Sequence, residues 1–150
     1  MDDATYRRQT ERIQALVRKW HRPLGLDTWR VQYDYDRTGD AMPAENVREG
    51  YTVLAHTECN WPYRRARITF NVAVVADIED DQEDDLEEQV VHELAHLLVA
   101  ELVEDDKRED AHHHLERVVV DLARAFVRVI SANDWSVSIT VKGAEDAATT

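Results

Sequence analysis

Cysteine is nearly absent. Cys59 is the single one in 150 residues, so an internal disulfide is excluded, which fits a reducing compartment. The paired cysteines of a zinc ribbon are missing too. No apolar run reaches the ~18 residues of a membrane-spanning helix. The opening residues Met1 to Arg8 have no apolar stretch behind their basic side chains, so no secretory leader is read there. The cytoplasm is the expected location. Basic charge is short as well: 18 Lys and Arg against 31 Asp and Glu give a formal net charge of −13. Nucleic-acid binders normally carry a basic stripe, and this balance argues against one. Local basic clusters, at Arg7 to Arg22 and at Arg64, Arg65 and Arg67, read as solvated faces. Glycine and proline number only four and three, and they fall mainly at breaks between periodic segments.

What is present is 43% hydrophobic and 33% charged, the composition of a soluble globular domain. A chain of this length buries roughly two thirds of its unfolded surface and needs no covalent staple. No internal repeat is visible. One domain is expected over residues 1–142, with a disordered tail at 143–150.

The periodicity predicts an α+β chain. Ile13, Leu16, Val17 and Trp20 fall at helical spacing, so residues 4–21 read as a helix, ended by Pro23 and Gly25. Trp29, Val31, Tyr33 and Tyr35 alternate with polar residues, the period of a half-buried strand. Residues 37–50, with Gly39, Pro43 and Gly50, read as a loop. A second strand is expected over 51–58 and a turn at Pro62. Alternation of Ala66, Ile68, Phe70 and Val72 gives a third strand. The sheet is expected to be small and mostly antiparallel.

The acidic stretch Asp77 to Glu88 suits the positive end of a helix dipole. It leads into a helix over 82–103 with Leu86, Val90, Leu94, Leu97 and Leu98 inward. Asp106 and Glu109 have the spacing of a capping box. A last helix then runs from 107 to about 131, with Leu115, Val118, Val119, Leu122, Ala123, Phe126 and Ile130 inward. Trp135 to Val141 reads as a short strand or an ordered tail.

Within the 82–103 helix lies His92-Glu93-Leu94-Ala95-His96. Four residues turn a helix by about 400°, so both imidazoles leave one face, one turn apart. Placed so, they can grip one metal ion. Glu93 stands about 100° around, able to accept a proton from water without ligating. The pattern alone arises by chance often enough that its setting matters. Val90, Val91, Leu94, Leu97, Leu98 and Val99 surround it, and polar groups buried among such residues need a partner. A bound metal is the natural one, and one zinc per chain is expected.

A catalytic zinc takes three protein ligands and leaves one open position. The third is read as Glu116. About seven helical residues follow His96 and about nine precede Glu116, so at 1.5 Å per residue the chain travels ~10 Å out and ~13 Å back. An antiparallel hairpin of helices returns Glu116 to the level of His96. His112, His113 and His114 compete for the role, ~3–6 Å nearer the turn by the same count. One of them is also a candidate to donate a hydrogen bond to a reaction intermediate. His56 and Cys59 have a metal-like gap without a second pair, and Cys59 reads as a buried thiol.

With His92, Glu93, His96 and Glu116 in hand, the chain resembles a gluzincin, the metallopeptidase branch with HExxH and a downstream glutamate. The step from His96 to Glu116 is similar to the thermolysin-like pattern. The size resembles minimal single-domain gluzincins and small zincin-like proteins found in phage genomes. Residues 83–130 carry the resemblance. It implies a zincin-like fold, with an N-terminal helix, an edge strand over the HExxH helix and an antiparallel C-terminal helix. It implies a zinc metallopeptidase acting on a peptide or protein substrate, with Glu93 as general base. The chain departs from the thermolysin-like pattern where an Asp would follow four residues after the ligand Glu: Val120 stands there and Asp121 is one further on. Tyr51, Tyr63 and His112 are candidates for stabilising the oxyanion.

Two other functions compete. A non-catalytic zinc-binding structural or regulatory module would use the same ligands and fill the fourth position. A DNA-linked protease similar to the SprT-like family is disfavoured by the acidic charge and the missing cysteine pairs.

Overall fold

The structure, a computed structural model, describes residues 1–41, 53–78, 82–103 and 109–132, with only the backbone described at 83, 101, 103, 109–113, 131 and 132. The Asp106–Glu109 capping box, the segment Trp135 to Val141, the tail 143–150, Tyr51 and the side chains of His112 and His113 lie outside the described residues.

Among the described residues the fold is α+β, with four α-helices and a three-stranded sheet. Helix α1 spans Asp3–His21. Asp2 caps it, its carboxylate accepting from the Thr5 amide at 2.8 Å. Arg18, Lys19 and His21 occupy the last turn, where positive charge meets the negative end of the dipole. Ile13, Leu16, Val17 and Trp20 are buried, as their spacing predicts. Past the helix, Gly25 takes a left-handed φ of 69° and starts a 3-10 turn at Leu26–Thr28.

Strands β1 (Arg30–Asp36), β2 (Ala55–Asn60) and β3 (Arg65–Asn71) form the sheet in the order β1-β3-β2. β2 and β3 are an antiparallel pair around a 3-10 turn at Trp61–Tyr63. β1 runs parallel to β3. The sheet is therefore mixed, and the expectation of a mostly antiparallel one is corrected. Parallel pairing needs a connection of a dozen or more residues, and residues 37–64, β2 among them, lie between β1 and β3. The chain passes from one edge of the sheet to the other, and β3 then fills the middle. Gly39, at φ 84°, lies so close to Asn71 that a Cβ there would come 2.6 Å from its Nδ2.

Tyr35 stacks on Phe70. The register puts Val31, Tyr33, Tyr35, Ala66, Ile68, Phe70, Ala55, Thr57 and Cys59 on one face, because paired residues point the same way. That face meets the helices. The third strand ends one residue before Val72. Val72–Ala76 is instead a short helix, α2, which Asn71 caps by accepting from the Val74 amide. A run of valines reads as strand, and the capping side chain overrides it here.

Helix α3 spans Glu83–Val103 and α4 spans Glu109–Ala132. α3 is apolar on nearly every side and is buried between the sheet, α1 and α4. Leu98 and Val118, expected inward, are 40% and 46% exposed. Leu98 lies between the buried Leu97 and Val99 and Val118 beside the buried Val119, so each faces outward from a helix whose neighbouring residues are covered. No described helix is long and apolar enough to cross a membrane.

The acidic stretch holds more than dipole partners. Glu87 is buried, accepting from the Trp20 indole N–H and pairing with Lys19 Nζ at 2.6 Å. It pins α1 to α3. Glu87→Ala strands a fully buried indole N–H and is expected to lose about 1–3 kcal/mol of stability. Denaturant melts check this. Glu87→Gln, whose amide oxygen can still accept, should lose less, and equal loss from both would mean that shape rather than the hydrogen bond matters.

Candidate metal centre

The centre lies between α3 and α4. Arg124 Nε bonds Glu88 Oε1 at 2.8 Å, and Glu116 lies against His92 and His96. Residues 88 to 96 thus run against 124 to 116, an antiparallel pair in the register that the path lengths predict. Val119, Ala95 and Val99 fill the seam between the helices, and the small Ala95 allows close approach.

On α3 the two imidazoles project one turn apart. Their Nε2 atoms lie 3.2 Å from each other, with ring centroids at 4.8 Å and planes 84° apart. Glu116 offers one oxygen to each: Oε2 is 3.5 Å from His92 Nε2 and Oε1 is 3.6 Å from His96 Nε2. The three residues form a group able to hold a metal ion. Around a tetrahedral zinc with bonds of ~2.0–2.1 Å, donor atoms stand roughly 3.3–3.4 Å apart. The spacing fits that requirement, and so does the donor chemistry. Two ring nitrogens at this distance share either a proton or a cation. His92 carries the same message. Burial works against its charged form, yet the hydrogen bond to Glu116 and the charges of Glu93, Glu116 and Glu88 outweigh it and raise its pKa above the usual imidazole value. The side chains are partly open, at 15% for His92, 18% for His96 and 37% for Glu116, which leaves an approach from solvent.

Glu93 is different. It points from α3 toward the sheet, is 8% exposed, and receives a hydrogen bond at 2.6 Å from the Thr57 hydroxyl on β2. Burial raises its pKa, opposed by the Thr57 hydrogen bond and the charge of His92.

Of the residues selected from the sequence, His92, His96 and Glu116 come together, while Glu93 lies on the sheet side of α3 against Thr57. His114 is exposed on α4 and stands outside the group. Asp121 is exposed too. Tyr63 is 72% exposed on the turn between β2 and β3. Cys59 is exposed, correcting the expectation of a buried thiol: β2 is buried at Ala55 and opens toward its far end. Sequence reasoning missed Thr57. The available signal was a hydroxyl at an inward position of the expected strand, two residues from Ala55. Comparisons with protein-family models, with curated proteins and with solved structures find no match for this chain.

Proposed function

We propose that the chain is a cytoplasmic zinc metallopeptidase with a zincin-like arrangement, in which His92, His96 and Glu116 hold one zinc ion and Glu93 is the general base. The observation that carries this reading is the convergence of two imidazole Nε2 atoms and one carboxylate on a common point, next to a buried carboxylate one residue from the first imidazole. The arrangement that supports a zincin-like reading is an edge strand, β2, packed on α3, with α4 antiparallel behind it.

When bound, zinc supplies Lewis-acid polarisation of a carbonyl and acidifies water. The remaining work belongs to the chain. Glu93 Oε2 is held by Thr57, so Oε1 is the oxygen that takes a proton from the attacking water. The water oxygen adds to the peptide carbonyl carbon, the C–N bond breaks, and the proton on Glu93 passes to the amine nitrogen. Among the described residues β2 is an edge strand paired with β3, and in this reading an extended peptide lies alongside it.

A non-catalytic zinc module would need a fourth protein ligand to close the coordination. Among the described residues the group has three members, and a peptide-library digest separates the two readings. Protein purified without chelator should contain about one zinc per chain by elemental analysis. Loading apoprotein with zinc should also raise its melting temperature, because a ligand bound only by the folded state stabilises it. Native protein without stoichiometric metal that also takes up none would overturn the reading. A digest of a peptide library by the zinc-loaded protein then separates enzyme from module.

A further inference from the structure

Thr57 stands where the sheet face is otherwise apolar. Its register partner is Ile68, and Ala55 precedes it on the same side. Its hydroxyl oxygen lies 2.6 Å from Glu93 Oε2 and 3.3 Å from the Glu93 carbonyl oxygen. A hydroxyl has one proton to give, and the shorter contact to the carboxylate takes it. At 2.6 Å this is a short hydroxyl–carboxyl hydrogen bond. Glu93 needs such a restraint. Its side chain has three rotatable bonds, and it begins one residue from a metal-binding histidine on the same helix. Untethered, the carboxylate has freedom to turn toward the ion it is meant to serve. With Oε2 held, Oε1 is the oxygen that has no bond among the described residues.

We propose that Thr57 is a positioning residue: its hydroxyl fixes Oε2 of Glu93 from the edge strand, so that Oε1 alone exchanges protons at the centre. The inference rests on the metallopeptidase reading. It assigns Thr57 no ligand role, so zinc binding is independent of it. It also joins the strand that would receive a substrate to the group that would move its proton.

The test uses zinc-loaded protein and acetohydroxamate, which chelates zinc through two oxygens and gives up a proton that a correctly held carboxylate accepts. Calorimetry compares wild type, Thr57→Ser, Thr57→Val, Glu93→Gln and the Thr57→Val/Glu93→Gln double variant. Thr57→Val, close in shape but without the hydroxyl, should bind acetohydroxamate about tenfold more weakly, the scale of one hydrogen bond to a charged group. Thr57→Ser should stay within about twofold, since it keeps the donor. In the Glu93→Gln background, Thr57→Val should add no further loss, because the group it positions is gone. Zinc content should be unchanged throughout. Thr57→Val binding like wild type, or losing as much in the Glu93→Gln background as in the parent, overturns the positioning role and leaves the metal centre standing. Wild-type protein that takes up no zinc, or that takes it up and ignores acetohydroxamate, overturns the metallopeptidase reading and the role of Thr57 with it.

Discussion

Glu116→Ala protein is expected to bind zinc at least about a hundredfold more weakly than wild type. The comparison that sets the scale is the loss of a group outside the coordination shell, which lowers metal affinity roughly 10- to 100-fold. Removal of a donor atom itself should reach or exceed the top of that range. The geometry behind the expectation is the carboxylate placed across both imidazoles, one oxygen 3.5 Å from His92 Nε2 and the other 3.6 Å from His96 Nε2. Without it, two neutral imidazoles remain, and the charge that favours a cation between them is reduced. Competition against a chromophoric chelator reads the affinity. His112→Ala, His113→Ala and His114→Ala serve as controls from the same helix and should each keep wild-type affinity. A Glu116→Ala protein that binds as tightly as wild type, with one of those histidine variants failing, would move the third ligand to that histidine and leave the HExxH pair in place.

Glu93→Gln should keep its zinc and lose hydrolysis by about 10²- to 10⁴-fold, the range of a general-base contribution. The amide has nearly the shape of the carboxylate, and its oxygen can still accept from Thr57. What it lacks at neutral pH is the ability to take a proton. The measurement is turnover of any peptide found by the library digest, alongside zinc content. Equal turnover by mutant and wild type would mean that another group is the base. Loss of zinc together with turnover would mean that Glu93 ligates the metal.

The two variants probe different kinds of information in the chain. His92, Glu93 and His96 share one helix, so their relative placement follows from helical pitch alone. Glu116 was reachable because two helices joined by a short connection must run antiparallel over similar lengths, and Arg124 against Glu88 shows the register that results. Thr57 was not reachable in that way. Its place opposite Glu93 depends on how β2 crosses α3, a relation between elements that are far apart in sequence and joined by no periodic pattern. The same holds for Glu87. In the sequence it is one more acid in an acidic run, and only the packing of α1 across α3 brings the Trp20 N–H to it. The parallel pairing of β1 with β3 was hidden for a related reason. Alternation says which face of a strand is buried, but it carries no information about which neighbour lies alongside. Val72 shows the local limit, since a valine after an alternating strand extends the pattern until Asn71 caps a helix instead.

The sheet order β1-β3-β2 also sets an order of assembly. Only residues 61–64 separate β2 from β3, and closing so short a loop loses little chain entropy. Among the described residues β1 pairs with β3 alone, and that pairing must close the span from residue 37 to residue 64, a slower and less local event. The hairpin is thus the natural nucleus, and it already carries Thr57 at its final place on the face that α3 will cover. In chain order the hairpin with Thr57 precedes the helices that bring His92, His96 and Glu116. During synthesis the unpaired β1, with Val31, Tyr33 and Tyr35 on one side, is the segment left waiting with apolar surface in water. Shortening the 37–54 connection would therefore act on the rate of folding before it acted on the finished site.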